Sequence, residues 1–202
     1  MVATFVTDPD DTREQILAAT YRALSTHGYA DLTISTIGEE FEKSPSLVYR
    51  HYDSKDDLVL SCLSYMLDQF ETRLTEDEIT DPRARLTESL TWSFGEDLPA
   101  ERQQFIATLV ELRAQTIHDE DYSSHFARSD RVFENHVAAI VHAGIEQDVF
   151  QDCNPDQVAS TLITTAIGVM LRRSTQEPDS TVWLTNVRNE IETFLDARVY
   201  KE

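Results

Sequence analysis

The stretch TISTIGEEFEKSPSLVYRHYDSKDDL, residues 33–58, decides how this chain folds. Thr33 is a helix-capping type, and Ile34, Ile37 and Phe41 follow it at helical spacing, which predicts one short helix with an apolar face. Ser44-Pro45 opens a second, a capping hydroxyl followed by a proline whose missing N–H costs nothing in a first turn. About four residues, Glu42 to Pro45, separate the two helices, and that is the geometry of a helix-turn-helix. Leu47 and Val48 can hold the second helix against Ile37 and Phe41, which leaves Ser46, Tyr49, Arg50 and His51 as the polar groups able to reach DNA. Arg50 alone among them can make a bidentate contact to guanine, worth about 1–3 kcal/mol of base discrimination.

Outward from this stretch the chain reads as further helices, with five glycines, six prolines and no sustained period-two alternation. Asp11 and Glu14 form a capping start, Ile16, Ala19, Ala23 and Leu24 make the apolar face, and His27-Gly28 ends the helix. Ser54 caps a fourth helix running to about Leu74, and a polar connection spans Thr75 to Asp81. A fifth begins at Asp81-Pro82, a sixth after Pro99, and a seventh spans about Asp121 to Gln147. Asn154-Pro155-Asp156-Gln157 opens the eighth, and the ninth runs from near Asp179-Ser180 to near Tyr200. The expectation is an all-α protein of about nine helices, with an amino-terminal three-helix part and a carboxy-terminal bundle.

From Thr33 through Ile37, Ser44, Tyr49, His51 and Tyr52 to Ser54-Lys55-Asp56-Asp57-Leu58, with His27-Gly28-Tyr29 before it, the chain resembles the TetR family of transcriptional regulators. Leu109-Val110-Glu111-Leu112, Gly144-Ile145-Glu146, Phe150 and Asn154-Pro155 look like that family's regulatory domain. The resemblance implies a DNA-binding domain over residues 1–54 and a ligand-binding, dimerising domain over 55–202. It implies that Thr33, Ser44, Tyr49, His51 and Lys55 hold phosphates and that Ser35, Pro45, Ser46 and Arg50 face bases. It further implies a homodimeric repressor released from operator DNA by a small molecule whose identity the sequence does not contain. Glu42 stands where the family has glycine in the turn, and Lys43 where it has a buried aliphatic residue.

Charge runs against a nucleic-acid partner at first sight, since 17 basic and 37 acidic residues give −20. Residues 1–55 carry nine acids and five bases, a net of −4, and the remainder carries −16, so the acidity pervades the chain. Such a surface suits a salt-rich cytoplasm, where a screening length of about 3 Å at 1 M relieves self-repulsion. It also keeps open an alternative, a helical adaptor acting through protein partners without operator binding.

Other classes find little support. Cys62 and Cys153 read as reduced thiols, no secretory segment is evident, and the uncharged run Val158 to Leu171 is too short to span a bilayer. No metal-binding, nucleophile or phosphate-loop motif occurs, so neither enzyme activity, cofactor nor metal is expected. His142 with Glu146 reads as a solvated pair, and His118-Asp119 is a weak echo of a phosphohydrolase dyad. Candidates for an effector pocket are Phe70, Trp92, Phe94, Phe105, Leu109, Arg113, Thr116, Phe126, Phe133 and His136, an apolar lining with a few polar groups. The eighth helix is apolar over more of its surface than one small bundle can bury. Leu162, Ile163, Ile167, Met170 and Leu171, with Trp183, Val187, Ile191 and Phe194 of the ninth, are therefore expected at a dimer interface.

Overall fold

A computed structural model describes residues 11–40, 47–76, 78–95, 98–176 and 181–201, the side chains of 73–76, 92 and 93 excepted. Nine helices and no strand occur among the described residues: α1 (Thr12–His27), α2 (Ile34–Glu39), α3 (Val48–His51), α4 (Lys55–Glu76), α5 (Pro82–Phe94), α6 (Ala100–Gln115), α7 (Glu120–Glu146), α8 (Pro155–Arg173) and α9 (Val182–Arg198). The all-α expectation holds.

Capping residues set most of the boundaries. Asp11 accepts the Glu14 N–H at 2.8 Å, Ser54 that of Asp57 at 3.0 Å, and Asn154 that of Gln157 at 3.0 Å. α1 stops at Gly28, whose φ of 72° suits glycine and whose N–H returns to the Leu24 carbonyl. Three extents differ from expectation. α4 continues to Glu76, past Leu74. α7 starts at Glu120, because the Asp119 carboxylate accepts the N–H groups of Asp121 and Tyr122. α9 ends at Arg198, short of Tyr200, because Tyr200 pairs as an isolated antiparallel bridge with Phe150 and the Gln151 N–H bonds to the Val199 carbonyl at 2.9 Å. The expected helix starts at Ser44-Pro45 and Asp179-Ser180 lie outside the described residues, as does Phe41.

Contacts divide the chain into two compact units, one of Met1–Glu76 with Pro99–Ala127 and the other of Asp77–Leu98 with Arg128–Glu202. Within the first unit α1 packs against α2, α4 and α6. In the first unit Ile16, Leu17, Leu24, Ile37, Val48, Leu58 and Leu112 are buried in one core, each side chain contributing about 1.5–3 kcal/mol. Cys62 lies within it, its thiol donating to the Leu17 carbonyl, and burial pushes its pKa up to about 12, which makes it an inert core residue.

In the second unit Leu86, Ile140, Val141, Phe150, Leu162 and Val199 form one cluster, and Phe94, Ala166, Val169 and Leu184 another. Gly144 permits the first: a Cβ there would overlap the Phe150 ring. The Val199 and Val149 carbonyls accept the N–H groups of Gln151 and Lys201, and Lys201 pairs with Asp148, so the chain's last described residues clip onto the corner between α7 and α8. No helix among the described residues is long and apolar enough to cross a membrane.

Candidate nucleic-acid interface

α2 begins with a reciprocal capping box, in which the Thr33 hydroxyl accepts the Thr36 N–H at 3.1 Å and the Thr36 hydroxyl accepts the Thr33 N–H at 2.9 Å. Ile37 points into the core while Ser35 is exposed. Arg22 of α1 holds the other end, donating to the Glu40 carbonyl at 2.8 Å and meeting the Glu40 carboxylate at 3.3 Å. α3 is a single turn pinned by Val48, which is completely buried, and by Tyr52 just beyond it at 6% exposure. Between those anchors Tyr49, 69% exposed, Arg50 and His51 all face solvent. Of the residues expected to touch DNA, Thr33, Ser35, Tyr49, Arg50 and His51 are thus on the surface of one substructure. Ser44, Pro45 and Ser46 lie outside the described residues, together with Glu42 and Lys43.

Lys55, at the start of α4, is less free than its sequence suggests. Its ammonium donates to the Tyr29 carbonyl at 3.3 Å and sits 4.1 Å from the centroid of the Tyr29 ring. Tyr29 is itself fixed at three points that sequence reasoning missed. Its N–H donates to the Glu111 carboxylate of α6 at 3.0 Å, and its hydroxyl to Asp56 Oδ1 at 2.6 Å. The Tyr122 hydroxyl of α7 donates to the same oxygen at 3.3 Å, and the two rings meet edge to face. Burial, and then the neighbouring Asp56, raise the Tyr29 phenol above its ordinary value; burial and Tyr29 do the same for Tyr122. Both therefore remain hydrogen-bond donors.

The expected pocket residues are divided between the units. Phe105, Phe126 and Leu109 belong to the first core, where Phe105 packs edge-on to Tyr21 and the Arg113 guanidinium lies 4.6 Å over the Phe126 ring. Phe70 and Thr116 are half-buried in the same unit. Phe94 is buried in the second unit, where Phe133 and His136 are half-buried; the Trp92 side chain is outside the description. Burial, with Arg85 nearby, lowers His136 to about 4, which leaves a neutral imidazole at pH 7. An open cleft of about 440 Å³ lined by Arg22, Ser25, Thr26, Glu40, Ala100, Glu101 and Gln104 includes none of the expected pocket residues. His142 and Glu146 form the expected solvated pair, 3.6 Å apart and two-thirds exposed, and Asp119 serves as the cap of α7. No group of three or more metal-ligating side chains occurs among the described residues.

Of the residues expected at a dimer interface, Leu162, at 1% exposure, lies within the unit's own core. Ile163, Ile191 and Phe194 pack partly against that core, Trp183 and Val187 against the Phe94 cluster, and Ile167 and Met170 are half-buried. Leu171 is 54% exposed.

Residues 16–62 match the family of bacterial regulatory proteins described as the tetR family, and residues 82–197 match the carboxy-terminal part of BetI-type transcriptional repressors. The HTH-type transcriptional regulator HbdR of Aromatoleum sp. (strain CIB) is 27% identical over 73% of this chain and 67% of its own length. Among solved structures, a TetR transcription regulator from Haloarcula marismortui is 35% identical, with a TM-score of 0.76 over 93% of this chain and 97% of that one. A transcriptional regulator from Saccharomonospora viridis in complex with choline has the same fold at 20% identity, with a TM-score of 0.72 over 94% of this chain and 98% of that one.

Proposed function

The chain belongs to the TetR family of bacterial regulatory proteins, and from that premise we propose that it is a homodimeric repressor which leaves its operator when a small molecule binds. The family's members are ligand-responsive DNA-binding regulators of transcription, so the chain is a regulator and not an enzyme. The observation that carries the repressor's DNA-binding face is the alternation across α3: Val48 and Tyr52 are buried, and Tyr49, Arg50 and His51 between them are exposed. On this reading Thr33, Ser44, Tyr49, His51 and Lys55 meet phosphates, and Ser35, Pro45, Ser46 and Arg50 meet bases. Residues 1–54 read the operator and residues 55–202 regulate that reading, in the cytoplasm.

The dimer is formed by α8 and α9. Ile163, Ile167, Met170 and Leu171 are only partly covered within their own unit, and a Cβ at Gly168 would meet nothing within 4 Å, which leaves room for a second helix to approach. Two reader helices then face successive turns of a pseudo-palindromic operator, roughly 34–36 Å apart or somewhat more. The Saccharomonospora viridis neighbour holds choline, so a quaternary ammonium is the first effector class to test.

The net charge of −20 reflects adaptation to a salt-rich cytoplasm and sets the conditions of the test. A regulator with about 6–10 phosphate contacts ordinarily loses about 10³–10⁵ in affinity between 50 and 200 mM salt. Here the long-range attraction is missing at low salt, and binding should persist in molar potassium chloride with a shallow or reversed slope. A gel shift with the DNA upstream of the chain's own gene across a potassium chloride series decides the matter. Binding at no salt concentration would favour the adaptor reading, and a steep loss with salt would refute the adaptation.

A further inference from the structure

We propose that Tyr122, in the first turn of α7, is a positioning residue for DNA binding: through the Asp56 carboxylate it steadies the Tyr29 ring, which with its own carbonyl holds the Lys55 ammonium ready for a phosphate. This rests on the reading above in which Lys55 meets the DNA backbone.

The geometry runs in one line. Tyr122 is 1% exposed, and a phenylalanine would fill that space equally well; what the hydroxyl adds is the hydrogen bond to Asp56. Asp56 accepts two phenols on one oxygen, Tyr122 at 3.3 Å and Tyr29 at 2.6 Å, so the two edge-to-face rings are tied at their polar ends as well. Glu111 fixes the Tyr29 backbone from α6, which sets where its carbonyl points. Lys55 spends one N–H on that carbonyl and lies over the ring, and further N–H donors remain for a phosphate oxygen.

An unrestrained lysine must surrender most of its rotamer freedom when it pairs, and one already held surrenders less, so the contact forms at lower entropic cost.

The test is a double-mutant cycle on full-length protein, with the duplex upstream of its own gene, and base-substituted versions of it, in molar potassium chloride. Tyr122→Phe should weaken binding about three- to tenfold on all duplexes alike. In a Lys55→Ala background the same substitution should cost nothing further, and Tyr29→Phe should repeat the pattern should Tyr122→Phe fail to fold. A loss of equal size in both backgrounds would mark Tyr122 as packing only and overturn the proposal, as would unchanged affinity in Tyr122→Phe or a silent Lys55→Ala. Wild-type protein that binds no DNA would overturn the operator reading together with this one; wild-type binding with additive losses would overturn this one alone.

Discussion

α3 has four residues, buries Val48 and turns Tyr49, Arg50 and His51 to solvent, whereas α8 has nineteen, buries Val158, Ala159, Leu162, Ala166 and Val169, and leaves Ile163, Ile167 and Met170 half covered. A helix as short as α3 has no stability of its own, since isolated helices below about 12–15 residues are marginal. Its position is lent by Val48 and Tyr52 in the core shared with α1 and α4. Its outward side chains therefore have no structural duty and are free for a ligand. α8 is held by its own core, yet keeps aliphatic surface whose burial is worth roughly 25 cal/mol per Å². On the proposed function the polar outward face is the one that meets DNA and the apolar one is the face that a second copy covers.

The largest effect tests that contrast directly. Ile167→Asp places a charge on the half-covered face of α8, and the dimer should dissociate completely, as measured by light scattering at micromolar concentration in high salt. A substituted protein that stays dimeric would remove α8 from the interface. Next, Arg50→Ala should weaken operator binding by about 1–3 kcal/mol and relax base preference while leaving the melting temperature alone, because the side chain is exposed. An unaltered base preference would take α3 out of the groove.

Titration separates the unit that carries α8 from the surroundings of α3. His136 is lowered to about 4 in the folded chain, against about 6.5 when unfolded. As pH falls from about 6.5 towards 4 the unfolded chain gains a proton that the folded chain refuses, so stability is lost over that window and no further below it. The loss should be about 1–3 kcal/mol, allowing for the partial exposure of the ring. His136→Asn should flatten this part of the profile in urea melts between pH 7 and 4. Parallel curves for the two proteins would show that His136 titrates normally.

The smallest expected effect concerns the support of the reader. Thr33→Ala removes the capping box of α2 and should cost about 1 kcal/mol, seen as a melting temperature lower by a few degrees, with Thr33→Ser restoring it. No change would mean that Arg22, bonded to the Glu40 carbonyl, suffices to hold α2 in place.

Much of this was legible in the residues themselves. Asp11, Ser54, Asp81 and Asn154 announce helix starts because a side-chain oxygen can reach only N–H groups two or three residues on, a relation local to the chain. The outward Tyr49-Arg50-His51 face was readable for the same reason: at about 3.6 residues per turn Val48 and Tyr52 fall on one side of a short helix, and an aliphatic Val48 turned inward leaves the three residues between them on the other. Tertiary structure alone decided that Leu162 belongs to the core and Leu171 to the surface, because rotation of α8 depends on neighbours from distant parts of the chain. It alone ended α9 before Tyr200, through a bridge to Phe150. It alone brought Tyr122 and Tyr29 to one oxygen of Asp56, across separations of 66 and 27 residues that no periodicity connects. Hydrogen bonds between such distant residues follow from how the helices pack, and packing is a property of all the apolar faces at once.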